Sequence, residues 1–205
     1  MGFSGFPDEA FEFYEGLAAD NSKTYWTARK QVYEQAIRMP LIALTAELEP
    51  EFGAAKIFRP YRDVRFSKDK SPYKTQQGAY TDQGFYVAVD ADGLMVAGGL
   101  YGPSPDQLAR FRVAVDAGSS GEALVKIVEQ LRIDGFEIAG DRLKTRPRGI
   151  AEDHPRLELL KHRSLYAHKG WPPEPWVHTS ASVDRIREEW RALRPFQEWT
   201  AEHVA

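Results

Sequence analysis

The first fifty residues carry apolar side chains at helical spacing, which predicts three consecutive helices. The apolar positions that define them are Phe11, Tyr14, Leu17 and Ala18 in the first helix, Tyr25, Ala28, Val32, Ala36 and Ile37 in the second, and Leu41, Leu44 and Leu48 in the third. Pro40 opens the third helix, because proline is tolerated in a first helical turn. That helix is expected to end near Gly53. Asn21 and Trp26 lie at the first helix junction, where capping and packing are the expected roles.

The apolar pattern changes to a period of two between residues 57 and 67, which predicts a β-strand. Pro60 indicates that this segment is the start or an edge of a sheet, because proline cannot donate to a central ladder. The alternation places Arg59, Asp63 and Arg65 together on one face of the strand.

Three further strands are predicted downstream. A turn from residue 68 to 72 leads into a second strand from 75 to 80. Residues 85–89 and 94–101 are predicted to form a hairpin around residues 90–93, because Asp-Gly between two apolar runs favours a tight turn.

Helical signals then return. Ser104 is expected to cap a helix that ends at Gly118, and a capping box at residues 119–122 is expected to begin a helix that ends at Gly135. The remaining predicted elements are a hairpin of residues 136–139 and 142–145, a brief helix over 155–160, a strand over 164–169, a proline-rich connector over 171–178, and a C-terminal helix that Pro195 kinks or restarts.

The order of these elements indicates an α+β fold and not an alternating βαβ one. The expected architecture has N-terminal helices, a central antiparallel sheet of hairpins, further helices packed on one face, and a C-terminal helix. A chain of 205 residues suits a single domain, here residues 1–205. A chain of that size can bury about 70% of its unfolded surface.

Composition is that of an ordinary globular protein, with 42% hydrophobic and 28% charged residues. The chain has no cysteine, which removes disulfides, thiolate nucleophiles and cysteine metal sites from consideration. Residues 1–9 lack a basic segment and a long apolar run, so we expect no signal peptide. No stretch approaches the roughly 18 apolar residues that cross a bilayer. We therefore expect no membrane contact and a cytoplasmic location.

Charge is distributed unevenly along the chain. The net charge is −3, yet residues 56–74 hold seven Lys and Arg against two Asp, a net of +5. Residues 142–169 hold eight Lys and Arg against three acids, again a net of +5, which leaves −13 for the remainder. If the two basic segments meet in the fold, they form one positive pocket on an otherwise negative protein.

The first basic segment contains RPYRDVRFSKDKSPYKT, residues 59–75. One hypothesis is an anion pocket, because Arg forks bind phosphate oxygens in pairs and the turn would bring lysines above the same face. The candidate ligand-binding residues are Arg59, Arg62, Arg65, Lys68, Lys70, Tyr73 and Lys74. The other hypothesis is an internal ion-pair network in which these cations pair with Asp63 and Asp69. The sequence leaves both hypotheses open.

The second basic segment offers Lys144 and Arg146 as further ligand-binding residues. His154 follows Asp153 beside this loop and is the best-placed general acid or base. The alternative is an Asp153 that caps the helix starting at Pro155, beside a surface histidine. Asp63 is the other candidate catalytic residue for a proton transfer.

Neither a metal nor a known cofactor motif is predicted. Asp63 and Asp69 superficially resemble the acidic residues of metal-dependent nucleases, but the neighbouring Arg and Lys disfavour a divalent cation. His162 and His168 lack metal-binding spacing. The chain contains no Walker loop, no Gly-x-Ser-x-Gly and no Gly-x-Gly-x-x-Gly. We expect no metal, and the cofactor stays unknown.

Residues 59–75 resemble the signature of a bacterial and fungal family catalogued as domain of unknown function 2461. The parts that match in order are Asn21 with Trp26, the strand 84–87, Gly98 with Tyr101, the loop 144–149, and residues 153–161. The resemblance covers about residues 5–200 and implies one domain of this length. It implies no activity, ligand or catalytic residue. Ile150 stands where an aromatic residue is expected, which bears little on any site.

These features favour a cytoplasmic protein that binds a phosphate-bearing or other anionic ligand in an Arg/Lys-rich cleft, with or without phosphate-type transfer or hydrolysis. The alternative is a non-catalytic scaffold or interaction module in which the basic motif is a structural ion-pair network. Nucleic acid is a less favoured partner, because the net charge is −3 and most aromatic residues fall at inward positions. The sequence leaves open any protein partner, the identity of the ligand, and whether the chain is an enzyme.

Overall fold

A computed structural model of the chain describes residues 2–65 and 68–205. It contains helices and one antiparallel sheet, with helices at both ends of the chain, and so confirms the α+β class. The α-helices are α1 Asp8–Ala19, α2 Lys23–Val32, α3 Met39–Phe52, α4 Pro105–Asp116, α5 Gly118–Ile133, α6 Leu157–Leu160 and α7 Ala181–His203. The strands are β1 Ala55–Ile57, β2 Gln76–Thr81, β3 Phe85–Asp90, β4 Gly93–Leu100, β5 Glu137–Ala139 and β6 Leu165–Trp171.

The strands are ordered β1-β2-β3-β4-β6-β5 across the sheet. In the register of the first three strands, Tyr80 of β2 lies opposite both Lys56 of β1 and Tyr86 of β3. Residues directly opposite each other in an antiparallel pair project from the same face, so these three side chains share one face of the sheet.

The chain divides into two compact units, each built from two segments. Unit 1 comprises Met1–Val96 and Gly170–Glu188, and unit 2 comprises Ala97–Lys169 and Glu189–Ala205. The expectation of a single domain over residues 1–205 stays a prediction.

The core of unit 1 packs the N-terminal helices against one face of β2 and β3. The Phe52 ring of α3 lies 5.0 Å from Phe85 of β3, edge to face. The Tyr33 hydroxyl donates a hydrogen bond of 2.6 Å to Oε1 of the buried Gln77 in β2. The sheet residues that face the helices are therefore Gln77, Ala79 and Thr81 of β2, with Phe85 and Val87 of β3, because their positions alternate with the opposite face.

The inward side of α2 differs from the predicted one. Ala28 is exposed and Tyr25 only half-buried, whereas Trp26 and Tyr33 are buried. Tyr33 begins a π-helical segment, Tyr33–Arg38, that joins α2 to α3 without a break. Tyr25, Trp26 and Ala28 all precede the π segment, so the difference lies within α2 itself, where the Trp26 ring packs on Tyr33.

Pro40 explains the π segment. A proline in a continuing α-helix lacks one N–H donor, and its ring meets the carbonyl four residues earlier. Here the backbone N–H of Met39 donates to the carbonyl of Glu34, five residues back, which is the π pattern. The helix therefore passes through Pro40, where the sequence predicted a new start.

The predicted strand over residues 57–67 is wrong for most of its length. β1 ends at Ile57, and the next pairing within the described residues is a single bridge between Tyr61 and Tyr73. Pro60 cannot donate to a ladder, which separates the two pairings. The predicted face positions Phe66 and Ser67 lie outside the described residues.

In unit 2 the capping of α4 is confirmed and that of α5 is not. The Ser104 side chain and Gln107 form a capping box at the start of α4. Gly118 begins α5 directly after α4, so it does not end a helix as predicted, and α5 has no side-chain cap. The Ser120 hydroxyl instead donates to the carbonyl of Ala114 at 2.7 Å.

The predicted hairpin around Gly140 is also wrong. β5 pairs with β6, with Glu137 opposite His168. The chain at Gly140 passes so close to the Ser164 carbonyl that a Cβ would lie 2.0 Å from its oxygen, and the Asp141 N–H donates to the Ser164 hydroxyl at 2.8 Å. The chain at Gly140 and Asp141 thus lies against Ser164, just before β6. The sequence predicted instead that residues 142–145 would turn back and pair with residues 136–139.

The C-terminal helix α7 runs without interruption through Pro195. The sequence predicted a kink or a restart there, and the restart is wrong. Proline removes only its own hydrogen bond from a helix, so a helix whose apolar side is well buried can continue past it. Phe196 and Trp199, which lie in the helical turn after Pro195, are both buried.

We expect Tyr33→Phe to lower the free energy of unfolding by about 1–3 kcal/mol, because Oε1 of the buried Gln77 loses its donor. Urea denaturation measures this change. Tyr80→Phe is the matched control, since that hydroxyl is exposed and its removal should change stability by about 0.5 kcal/mol or less. Equal effects of the two substitutions would contradict the role of the Tyr33–Gln77 bond.

Candidate functional site

The basic loop, defined as residues 59–75, connects β1 to β2 in unit 1. Its base is closed by the single antiparallel bridge between Tyr61 and Tyr73. The Arg62 N–H donates to the Pro72 carbonyl at 2.9 Å, and the Lys74 N–H donates to the Pro60 carbonyl at 2.8 Å. The loop therefore begins and ends at a defined place on the sheet.

Asn21 anchors the returning arm of the basic loop. Its side-chain Nδ2 donates to the Tyr73 carbonyl at 3.0 Å, and its Oδ1 accepts the Tyr73 N–H at 3.1 Å. One side-chain amide thus satisfies both backbone groups of Tyr73, as a neighbouring strand would. The sequence pointed to helix capping for Asn21, but Ser22 caps α2, accepting the Tyr25 N–H at 3.1 Å.

Trp26 packs on the same arm. Its ring is stacked on Tyr73 with centroids 4.3 Å apart and planes 7° from parallel, and it also contacts Tyr33 at 4.8 Å. The ring of Tyr61, on the outgoing arm, lies 6.1 Å from Trp26. Tyr73 is buried, and burial raises the pKa of its hydroxyl. The predicted ligand residue Tyr73 therefore serves in this structure as the packing anchor of the loop.

Two of the three guanidiniums in the basic loop are paired with its own carboxylates. Arg62 pairs with Asp69. Arg65 donates two hydrogen bonds to Asp63, one from Nε to Oδ1 at 3.0 Å and one from Nη2 to Oδ2 at 2.7 Å. The Arg65 side chain is 76% exposed, and such solvent-exposed pairs contribute little to stability. The ion-pair hypothesis therefore accounts for the pairing of these two arginines. It does not account for the fixed position of the loop.

Both aspartates of the loop have lowered pKa values. The Ser71 hydroxyl and N–H, which donate at 2.6 and 2.9 Å, together with Arg62 lower the pKa of Asp69 to about 2. Hydrogen bonds from Arg65 lower the pKa of Asp63, and the charge of Arg59 adds to the effect. A carboxylate with a lowered pKa is a weak base, so Asp63 is poorly suited to take a proton at neutral pH.

The other four cations of the loop have no carboxylate partner among the described residues. They are Arg59, Lys68, Lys70 and Lys74. Lys70 donates to the Val64 carbonyl at 2.9 Å, and the Lys74 ammonium lies 5.1 Å from the centroid of the Phe58 ring. Burial and then the charge of Arg59 lower the pKa of Lys74. Arg59 and Lys74 are thus neighbouring positive groups that form no salt bridge among the described residues, although the charge of Arg59 still acts on Asp63.

The second basic segment belongs to unit 2. Lys144 is exposed, whereas Arg146 donates to the Ile150 carbonyl at 2.6 Å and pairs with Glu152 at 3.1 Å. Since the basic loop belongs to unit 1, the convergence of the two basic segments on one pocket stays a prediction.

His154 has both ring nitrogens engaged. Nδ1 lies 3.0 Å from the Arg156 N–H and can only accept, so the proton of the neutral ring is on Nε2, which lies 3.0 Å from Asp116 Oδ1. The side chain is only 14% exposed. The prediction that Asp153 caps a helix is wrong, because α6 begins at Leu157 and has no side-chain cap. As a proton carrier, His154 would first have to release one of these bonds.

Sequence reasoning missed Arg156, whose guanidinium caps the end of α4. Its Nε donates to the Val115 carbonyl at 2.6 Å and its Nη2 to the Asp116 carbonyl at 2.7 Å. A cation at a helix C-terminus satisfies unpaired carbonyls and the helix dipole. Gly121 makes room for it, because a Cβ there would lie 2.5 Å from Arg156 Nε. His154 and Arg156 therefore attach the loop that precedes α6 to the C-terminal end of α4.

Sequence reasoning also missed an open cleft of about 600 Å³ in unit 2. Tyr101, 80% exposed, contacts Tyr166 edge to face at 5.5 Å. Arg163 and Asp141 line the cleft as a pair 3.1 Å apart, so it has no excess of positive charge. Its residues come from three separate segments, which no local sequence pattern links.

In residues 2–65 and 68–205, no three His, Asp or Glu side chains are grouped so that they could hold a metal ion. None of the described helices has the length and apolar character required to cross a membrane.

Comparison with known proteins gives a single kind of match. A family model described as "Conserved hypothetical protein (DUF2461)" matches residues 9–199. No curated protein sequence and no solved structure is significantly similar to the chain. The resemblance expected from residues 59–75 is confirmed by the family match.

We expect Asn21→Ala to lower the free energy of unfolding by about 1–3 kcal/mol, because the N–H and carbonyl of Tyr73 lose their partners. Arg65→Ala, which removes a solvent-exposed ion pair, should have a clearly smaller effect. Urea denaturation of both variants measures the difference. A larger loss from Arg65→Ala would show that the ion pairs hold the loop.

The carboxyl of Asp69 should titrate at about 2, and Ser71→Ala should raise its pKa toward the ordinary 3.8. Because the folded pKa lies below the unfolded one, the contribution of this carboxylate to stability is complete above about pH 4 and is lost as the pH falls toward 2. Side-chain carboxyl NMR follows the titration. Ser119→Ala, in unit 2, is the matched control and should leave Asp69 unchanged; an Asp69 pKa of 3.8 in the unmodified protein would refute the assignment.

Proposed function

The chain belongs to the family of conserved hypothetical proteins DUF2461, and from that premise we propose that it binds a phosphate-bearing or other anionic ligand at its basic loop. The observation that carries the proposal is the pair Arg59 and Lys74. The Lys74 N–H donates to the carbonyl of Pro60, the residue after Arg59, so the two cations are neighbours, and neither forms a salt bridge with a carboxylate among the described residues. An anion placed between them would give both cations a direct ionic partner.

The chemistry of this pair suits phosphate oxygens. The planar fork of Arg59 can bind two oxygens at once, and the Lys74 ammonium can bind a third as a point charge. Phe58 lies beneath Lys74 and shields one side of it from water, which strengthens an ionic contact there. Lys68 and Lys70 add positive charge from the same loop.

The proposal concerns binding, and transfer or hydrolysis would require more. Either Asp63 or His154 would have to move a proton. Asp63 is a weak base because its hydrogen bonds from Arg65 lower its pKa, and His154 is held by Arg156 and Asp116. Ligand binding requires no change at Asp63 or His154, whereas proton transfer by either residue does. The arrangement therefore fits a binding protein better than an enzyme.

The alternative is a scaffold in which the basic motif is a structural ion-pair network. The pairs Arg62–Asp69 and Arg65–Asp63 favour it. Both pairs are solvent-exposed, however, and the loop is fastened by Asn21 and by stacking on Trp26. Arg59 acts on Asp63 only through its charge and forms no ion pair with it, and Lys74 has no carboxylate partner among the described residues. These two cations favour ligand binding. A cytoplasmic location is part of the proposal and accords with a chain that has no cysteine.

We expect Arg59→Gln and Lys74→Gln each to weaken the binding of tripolyphosphate by about tenfold or more, because each removes a charge-assisted hydrogen bond. Isothermal titration calorimetry at low salt measures the affinity. Lys30→Gln is the matched control, since Lys30 is an exposed lysine of α2 and its loss removes the same charge. Equal weakening by Lys30→Gln would show that only the overall charge of the protein matters, which would contradict a specific site. Absence of binding by the unmodified protein would also refute the proposal.

A further inference from the structure

The face of β1–β3 that points away from the N-terminal helices carries both aromatic rings and cations. We call it the open sheet face, and its members are Lys56, Phe58, Lys74, Gln76, Tyr80 and Tyr86. The register places Lys56, Tyr80 and Tyr86 in one row across the three strands. Gln77 and Phe85, which alternate with these positions, contact the helices instead.

The aromatic rings of the open sheet face are accessible. Tyr80 is 43% exposed, and within the described part of the chain its side chain makes no ring contact or hydrogen bond. Phe58 and Tyr86 are half-buried, with ring centroids 6.3 Å apart. Three rings in reach of solvent on one small sheet differ from the scattered single aromatics that surfaces ordinarily show.

Gly78 allows Tyr86 to lie across β2. A Cβ at Gly78 would come within 2.3 Å of the Tyr86 hydroxyl. That hydroxyl accepts a hydrogen bond of 2.9 Å from Gln76 Nε2, which fixes the ring in place. The Tyr86 ring therefore lies flat against the sheet beside Phe58. The two rings form an apolar platform, and the Tyr86 hydroxyl gives it a polar edge.

Positive charge surrounds this platform. Lys74 stands over Phe58, Lys56 lies opposite Tyr80, and both are without a carboxylate partner in the part of the chain that the structure describes. Arg59 is close enough to Lys74 to lower its pKa. Asp90, the acid in register with Gln76, is half-buried and accepts the Asp92 N–H at 2.9 Å. The charge of the platform is therefore complementary to a polyanion that has flat rings.

We infer that the open sheet face binds single-stranded nucleic acid, with bases stacked on Tyr80, Phe58 and Tyr86 and phosphates on the cations around them. The inference rests on the proposed anion binding and names its ligand class. Every base has a π-face that stacks on an aromatic side chain, and only unpaired strands present that face. A simple phosphate would leave the rings unused, and a duplex could not reach them.

The dimensions of the face fit a short stretch of strand. β2 has six residues, Gln76–Thr81, and so spans about 20 Å. Sheets that bind single strands stack two or three bases over a comparable surface. The overall charge of −3 made nucleic acid a less favoured partner from the sequence, but phosphates respond to the local charge of the face and not to the average.

The test compares three probes on the 205-residue chain by fluorescence anisotropy: a short oligothymidylate, an abasic phosphodiester of equal length and charge, and a duplex of the same length. The oligothymidylate should bind at least about tenfold more tightly than the abasic strand, because each stacked base adds affinity. It should also bind more tightly than the duplex. Equal binding of the thymidylate and abasic strands would overturn the inference while leaving anion binding intact.

Tyr80→Ala tests the stacking directly, and because Tyr80 is exposed the variant should keep the thermal denaturation midpoint of the unmodified protein to within a few degrees. The substitution should weaken thymidylate binding about tenfold and leave abasic binding unchanged, and Tyr80→Phe should restore the affinity. Tyr101→Ala, an exposed tyrosine of unit 2, is the matched control and should change neither. Equal losses from Tyr80→Ala and Tyr101→Ala would overturn the inference.

The salt dependence of binding separates this inference from the proposed function. Lys74→Gln should reduce the slope of log affinity against log salt for the oligothymidylate by about 0.7, the contribution of one phosphate contact. If tripolyphosphate binds and the oligothymidylate does not, the inference fails alone. If neither binds, the inference and the proposed function fail together.

Discussion

The bidentate contact between the Asn21 side chain and the backbone of Tyr73 is the interaction on which the candidate site depends. It replaces the pairing that a neighbouring strand would give, and Trp26 completes the anchor by stacking on the Tyr73 ring. With its returning arm fixed in this way, the basic loop needs no ion pairs to hold its place. The cations of the loop that form no salt bridge, Arg59 and Lys74 among them, are consequently available for other uses.

That availability organises the charge of unit 1. Arg62 and Arg65 are balanced within the loop, whereas Arg59 and Lys74 stay positive beside Phe58. The anion-binding proposal follows from this imbalance. The inferred binding of single-stranded nucleic acid adds to that proposal the aromatic rings of the open sheet face, Phe58, Tyr80 and Tyr86.

The sequence predicted the parts of the structure that local patterns control. The helices near Leu17 and Leu44, the hairpin around Gly93 and the capping of α4 by Ser104 follow from periodicity and turn chemistry. Features set by distant contacts were not predictable. The pairing of β5 with β6 and the anchoring of Tyr73 by Asn21 join residues far apart in the chain. The chemistry of the basic loop was visible in its composition, but which arginines are paired depends on the folded geometry.

Hydrogen exchange at the Tyr73 amide tests the central claim most directly, because that N–H donates to Asn21 and not to another strand. The account predicts slow exchange in the unmodified protein and equally slow exchange after Asp63→Ala, which removes the Arg65 ion pair. Exchange as fast as that of an exposed loop amide, or protection lost in Asp63→Ala while Asn21 is intact, would contradict it.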